Sequence, residues 1–264
     1  MCLIVFSWNR AGPYKLIMAA NRDEYFNRPT ITADFWKDNT GIFGGRDSKA
    51  GGSWLAFNEN GKWAALTNYR ESTAINKKKR SRGLLVSEYL SSDLDPREYS
   101  QKLDSENHLY AGYNLLLGSN GDIYYKSNRA KIVGRIEPGV NGLSNHLLNT
   151  DWPKVKKSRK RLENCIKESR HNLIERLFTL LSDDKTASIE EVPQTGLSID
   201  WEITLSSIFI KSNHAYGTRS STVFTIGYDN SIFFEERSFD SYCNEINRNS
   251  INLPPPLKKK IIIT

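Results

Sequence analysis

Cys2 is the second residue of a chain that opens MCLIVFSWN. If Met1 is removed, Cys2 becomes the terminus, and a thiol and an α-amine then share one residue. An α-amine titrates near pH ~8, so it can accept the thiol proton directly or through a water. Three kinds of neighbour would complete such a nucleophile. A cation would favour the thiolate, a carboxylate would hold the amine, and side-chain amides would bind the oxyanion of a tetrahedral intermediate. The plainer alternative is that Cys2 is the first small hydrophobe of a buried strand.

Each of those residue types recurs at a strand end or in a loop. In AANRDEYFNRP, the run Asn21, Arg22, Asp23 and Glu24 follows the second strand of a first hairpin, across from Cys2. Arg22 is placed to polarise the thiol and Asp23 to hold the amine, although a polar turn with local ion pairs reads the same way. Asn68 closes the strand WAALTNYR, and Asn145 stands in NGLSNHLLNTDWPKV ahead of a long helix. Either amide suits an oxyanion, and either suits a turn cap. Arg219, in HAYGTRSSTVF, leads into a strand and suits a carboxylate, including a substrate's. Gly217 before it would allow an unusual backbone conformation.

Hairpins are needed to bring these positions together. Residues 3–9 and 14–20 alternate around NRAGPY and predict the first. Ser53 to Phe57 and Lys62 to Tyr69 predict a second, turned at Asn60-Gly61. YNLLLGSNGDIYYKS predicts a third, turned at Asn120-Gly121, and SSTVFTIGYDNSIFFEERSF a fourth. Helical spacing appears in GLLVSEYL, and in DPREYSQKL with Asp95 as N-cap and Pro96 at the first helical position. The longest helix starts near Pro153 and carries a stripe of Val155, Leu162, Cys165, Ile166, Leu173, Ile174, Leu177 and Leu180; the alternative is two helices broken near His171-Asn172. Cys165 lies on that stripe and reads as core. Hairpins, then helices, then hairpins predict an α+β fold in a single domain over residues 1–264, ending in a Pro/Lys-rich tail at 254–264.

The composition narrows the classes further. The 264 residues are 38% hydrophobic, which is enough for a sizeable core. No apolar run reaches the length of a membrane span, and the N-terminus lacks the pattern of a secretory leader. A cytoplasmic protein with no transmembrane segment is the expectation. Three cysteines and four histidines show no CxxC, HxxxH or HExxH spacing, so neither a disulfide framework nor a structural metal is expected. The net charge of +7 is concentrated at Lys77 to Arg82, Lys154 to Arg161 and Lys258 to Lys260. Such runs read as solvated faces or as attraction of carboxylates and phosphates toward a cleft. Nucleic acid is not an expected partner, because no aromatic-basic stacking pattern accompanies the charge.

The joint occurrence, in order, of MCLIVF, LIMAANRDEYFNRP, GGSWLAF, WAALTNYR, SRGLLV, NGLSNHLLNTDWPKV and YGTRSSTV resembles the NRDE family, that of Transport and Golgi organisation protein 2. The likeness spans roughly Met1 to Phe239. It implies a four-layer αββα sandwich of two antiparallel sheets, N-terminal-nucleophile hydrolase-like. A looser likeness to bile-salt hydrolases and penicillin acylases implies a site made of Cys2, Arg22, Asp23, Asn68, Asn145 and Arg219.

Two functions follow from the resemblance. One is hydrolysis or acyl transfer of an amide or thioester by Cys2, needing no cofactor. The other is a non-catalytic carrier of haem or an acyl lipid such as acyl-CoA, in keeping with the haem trafficking and lipid homeostasis associated with the family. For haem, Cys2 is a conceivable thiolate ligand. His146 or His214 is a conceivable axial ligand, and Tyr69, Arg70 and Arg219 would suit propionates. A third reading makes Cys2 core and the polar motifs scaffold.

Overall fold

The computed structural model describes residues 2–71, 79–119, 121–131, 134–168, 171–211 and 215–255. Apolar alternation folds β1 (Cys2–Ala11) back onto β2 (Tyr14–Tyr25). The bend puts Asn9 at φ 48° and Gly12 at φ 56°, a left-handed region that Gly and Asn adopt more readily than other residues. Next come β3 (Thr30–Trp36), β4 (Asn39–Asp47), β5 (Leu55–Asn58) and β6 (Trp63–Asn68). Two helices follow, α1 (Leu84–Leu90) and α2 (Pro96–Glu106). Then come β7 (Tyr113–Ser119), β8 (Asp122–Ser127), β9 (Gly134–Arg135) and β10 (Gly139–Leu143). The chain continues through α3 (Pro153–Lys167), α4 (Leu173–Leu181) and α5 (Ile199–Thr204). It closes with β11 (Tyr216–Gly227), β12 (Ile232–Phe239) and β13 (Glu245–Leu253).

The strands form two antiparallel sheets, ordered β10-β1-β2-β11-β12-β13 and β3-β4-β5-β6-β7-β8-β9. Period-2 alternation sorts each strand between two faces. On β1, Ile4, Phe6 and Trp8 enter the core between the sheets. Val5 instead joins α3 and α4 residues such as Leu162, Leu177 and Phe178 on the outer face. A matching cluster on the second sheet, with Leu66, Leu115 and Leu117, packs against Leu85, Val86, Tyr89 and Leu103 of α1 and α2. The result is the expected α+β arrangement of four layers, αββα. Between the sheets, Phe57 stacks on Phe224 with centroids 5.7 Å apart. Such a pair adds roughly 0.5–1.5 kcal/mol beyond the area it buries.

The four predicted hairpins are present. The second is shorter than expected, and Gly61 takes φ 77° at its turn. Asn120 of the third turn lies outside the described residues. Asp95 caps α2 in a capping box with Glu98. The long helical stretch is two helices, parted by Asn172 at φ 58°, and Cys165 packs half-buried against the outer apolar cluster.

Three expectations need correction. Arg22 and Asp23 do not follow the second strand; β2 runs on to Tyr25 and carries them. Gly217 is not among the positive-φ glycines; a Cβ there would lie 2.9 Å from the Ile210 carbonyl oxygen, so close approach is its reason. Lys154 belongs to a basic run read as a solvated face, yet it is 1% exposed. Sequence patterning also missed β3, β4 and β13, whose polar and glycine-rich composition hides their alternation. The end of the predicted tail, from Pro256, lies outside the described residues.

One close approach ties the second sheet to α1. A Cβ on Gly52 would meet the Gly83 carbonyl carbon at 2.2 Å, and the Ser53 amide donates to the Gly83 carbonyl at 3.1 Å. Because backbone cannot yield as a flexible side chain can, Gly52→Ala is expected to destabilise the fold by about 1–3 kcal/mol. Thermal melting checks this, and an unchanged midpoint would contradict the packing described.

Candidate active site

The β1–β2 register pairs Cys2 directly with Arg22, and paired residues share a face. That face is the inter-sheet one, because Cys2 has the parity of Ile4 and Phe6. The Arg22 guanidinium lies 4.2 Å over the Trp54 ring and donates to Thr30 Oγ1 at 3.1 Å. Nearby, the buried Glu236 carboxylate accepts the Ala33 amide at 2.9 Å. Burial pushes the Cys2 thiol up and the charge of Arg22 opposes it. Burial likewise pushes Glu236 up, with Arg22 opposing.

Asp23 and Asn21 point the other way, under the helices. Asn21 donates to the carbonyls of Leu181 at 2.9 Å and Ile208 at 2.8 Å, and accepts from Ser221 Oγ at 2.6 Å. It pins the helical layer to the strand. Asp23 Oδ1 accepts from Thr218 Oγ1 at 2.8 Å. Its Oδ2 lies 3.6 Å from Lys154 Nζ, with side-chain exposures of 1% for the lysine and 0% for the aspartate. Burial pushes the Asp23 carboxyl up and the Lys154 ammonium down, and each is opposed by the other's charge. Lys154 sits in the first turn of α3, which packs on β1.

The two asparagines come together at the end of β1. Ser144 Oγ donates to the Cys2 carbonyl at 2.9 Å and lies 3.3 Å from Asn145 Oδ1. Asn145 Nδ2 donates to the Asn68 carbonyl at 2.8 Å. Among the described residues, no hydrogen bond engages the Asn68 side chain. Both asparagines line a cavity of about 810 Å³ that also takes in Glu24, Arg28, Arg70, Arg82, Trp201 and Tyr216. Cys2 is not among its described lining residues, but Glu24 is, two residues along β2 from the partner of Cys2.

Arg219 stands apart from this cavity. Its Nη1 donates to the carbonyls of Tyr25, Phe26 and Arg28 at 3.0, 3.1 and 3.2 Å. It therefore holds the turn that presents Tyr25 and Arg28 to the cavity. Of the six sequence candidates, five converge on the joined ends of β1, β2, β6 and β10, and Arg219 supports them from one turn away.

Three residues near the site went unrecognised in the sequence. Lys154 was hidden in its charged run; the available signal was its place beside Val155, four residues before the buried Ser158. Arg82 precedes α1 and donates to the Gly112 carbonyl at 3.0 Å. Burial pushes its guanidinium down, opposed by Glu71, Glu24 and Cys2. Tyr216 meets Tyr25 and Trp201 edge-on at 5.1 and 5.8 Å. Arg82 ends the basic run from Lys77 and Tyr216 opens YGTRSSTV, but residue type and spacing single out neither as a site residue.

Part of the charged wall is paired within the protein. Arg70 Nη1 lies 2.5 Å from Glu202 Oε2, and its guanidinium covers Trp152 at 4.5 Å. His146 bonds Thr150 Oγ1 through Nδ1 at 2.9 Å and lies between Tyr69 at 5.0 Å and Trp152 at 5.6 Å. His214 lies outside the described residues. No helix among the described residues is long and apolar enough to cross a membrane.

Two facing antiparallel sheets sheathed by helices define the class: an N-terminal-nucleophile hydrolase-like fold. A solved Caenorhabditis elegans N-acylethanolamine-hydrolyzing acid amidase ortholog has this fold, with a TM-score of 0.51 at 14% identity over 96% of this chain and 100% of its own. The family model for Transport and Golgi organisation 2 matches residues 1–241. The bovine Transport and Golgi organization protein 2 homolog is 35% identical over 261 residues, covering 90% of this chain and 93% of its own. The human homolog is 34% identical over the same shares. The chain belongs to the Transport and Golgi organisation 2 family.

His146 supplies a pH test. Burial, with Arg70 adding to it, holds its imidazole below the ordinary value, so the unfolded chain binds the proton first as pH falls through about 6.5. Stability is therefore expected to decline on acidification below that point and to be fully present above it. Melts at stepped pH check this, and His146→Gln should flatten the slope in that window.

Proposed function

We propose that this protein is a cysteine N-terminal-nucleophile hydrolase or acyltransferase acting on an amide or thioester. The observation that carries the reading is the convergence at one strand end. Cys2 faces Arg22, Asp23 lies buried next to it, and the Ser144–Asn145–Asn68 chain runs from the Cys2 carbonyl into the cavity.

After removal of Met1, the thiol of Cys2 gives its proton to its own α-amine and its sulfur attacks the acyl carbon. The carbonyl electron pair moves to oxygen, where the amides of Asn68 and Asn145 hold it. Collapse expels the amine or thiol, which takes the proton back from the ammonium and leaves an acyl-cysteine thioester. Water, deprotonated by the same amine, then releases the acid and restores the thiol. Arg22 favours the thiolate through its charge, Asp23 orients the amine, and Arg219 supports the cavity turn. No cofactor enters this sequence.

A second reading is a carrier for haem or an acyl lipid in the same cavity. The observation in its favour is the set of cationic side chains on the wall: Arg28, Arg70, Lys79, Arg82 and Arg129. These would meet propionate or phosphate oxygens, while Trp201 and Tyr216 would contact an apolar body. In either reading the partner is a small molecule.

Intact mass of the purified chain, before and after a thiol-directed acylating probe with the label mapped, is the direct test. Loss of Met1, rapid acylation at Cys2 and its slowing by Asp23→Asn are expected. A retained Met1, or a Cys2 no more reactive than Cys165 and Cys243, would overturn the hydrolase reading. Turnover should vanish in Cys2→Ala and fall about 10²–10³-fold in Asn68→Ala. Undiminished haem or acyl-CoA binding by Cys2→Ala, with no turnover by the unmutated chain, would favour the carrier.

A further inference from the structure

The buried Lys154 is unused in the mechanism above. A lysine is rarely enclosed, and a buried charge is retained where a partner compensates it. Here the compensating group is Asp23, the same carboxylate that the mechanism assigns to the amine of Cys2. Strand geometry brings the three groups together. In the antiparallel β1–β2 pair, Cys2 lies opposite Arg22, and stepping back along β1 is stepping forward along β2. The backbone nitrogen of Cys2 is thus on the Asp23 side of its partner. Thr218 Oγ1 donates to Oδ1 of Asp23, and Oδ2 lies 3.6 Å from Lys154 Nζ.

One buried carboxylate balances one cation. If Lys154 and an α-ammonium both stood beside Asp23, the enclosed group would carry an uncompensated positive charge, and the weaker base would lose its proton. The α-amine, with an ordinary value near ~8 against ~10.4 for lysine, is that weaker base. Inferring further on the basis of the Cys2 nucleophile reading, we propose that Lys154 is a positioning residue that occupies the charge of Asp23. The freed α-amine of Cys2 is then left neutral and able to take the thiol proton. Asp23 alone would do the opposite: it would hold the amine as ammonium, a hydrogen-bonded cation with no lone pair to offer.

The surrounding charges act in the same direction. Arg22 on β2, Arg70 after β6 and Arg82 before α1 are all cations felt at Cys2 or Lys154. Burial holds the Tyr216 phenol on β11 well above its ordinary value, with the charges of Asp23 and Cys2 adding to it. Arg70 is matched by Glu202 and the charge of Arg22 is felt at Glu236, whereas Glu24 is the nearby acid on β2, felt at Tyr216 and Arg82. Among these cations, Lys154 is the one in ion-pair contact with Asp23 among the described residues.

The experiment titrates the amine itself. Full-length chain, its Met1 processing fixed by intact mass, is trace-labelled with acetic anhydride across pH, and the rate at the N-terminal α-amine is read from the N-terminal peptide. The unmutated chain is expected to label with a midpoint below the ordinary α-amine value of ~8. Lys154→Met should raise that midpoint by at least about one unit, roughly a tenfold loss of neutral amine near pH 7, and Lys154→Arg should restore it. A midpoint at or above the ordinary value in the unmutated chain overturns the proposal, even if Lys154→Met does not fold. An unchanged midpoint in a folded Lys154→Met does so too. Either outcome with a Cys2 that still acylates rapidly leaves the hydrolase reading standing. A retained Met1 removes both.

Discussion

The site depends on the register of β1 against β2. Side chains alternate across a strand, so a slip of one residue would send Cys2 to the helix side and expose every core residue of β1 to the wrong layer. The alignment is enforced from both faces. Ile4, Phe6 and Trp8 must enter the inter-sheet core, while Val5 must meet α3 and α4. The hydrophobic pattern therefore sets the register in which Cys2 stands opposite Arg22. The candidate residues are placed here by packing that begins two residues away.

The same alternation divides the Asn21–Glu24 run into two jobs. Asn21 and Asp23 serve the helical layer, one by binding two carbonyls and the other by meeting Thr218 and Lys154. Arg22 and Glu24 look inward, toward the thiol and the cavity. Four consecutive polar residues in the middle of a sheet would be costly if left unpaired. Here all four have partners, Glu24 through the Tyr25 amide and Arg28, which converts a largely buried polar stretch into a junction between layers. The cavity wall follows the same economy of charge, with Arg28 against Asp47 and Arg70 against Glu202.

The proposed chemistry draws on that junction. A burial that raises the Cys2 thiol would by itself make a poor nucleophile. The counterweights are the Arg22 charge and, in the proposal, an amine kept neutral by the Asp23–Lys154 pair. The family relationship and the fold stand independently of this chemistry, because they rest on the matched length of chain and the order of the strands.

Much of the fold was legible in the sequence because its signals are local. Hairpins β1–β2, β5–β6, β7–β8 and β11–β12 announce themselves by period-2 runs and turn residues, and α2 by its Asp95-Pro96 start. The candidate residues Cys2, Arg22, Asp23, Asn68 and Asn145 were found by residue type at strand ends. What the sequence could not display is contact between distant segments. Strands β3, β4 and β13 are polar or glycine-rich and form because neighbouring strands complete their hydrogen bonds, not because their own pattern demands it. Arg219 reads as a ligand-binding arginine until its three carbonyl partners appear. Lys154 reads as solvent-facing until α3 turns it under β2. The sequence by itself determined the strand periodicity, the turns and the inventory of reactive groups. Tertiary structure alone decided which charges are buried and which side chains share a carboxylate, because burial and pairing belong to the packing of layers far apart in the chain.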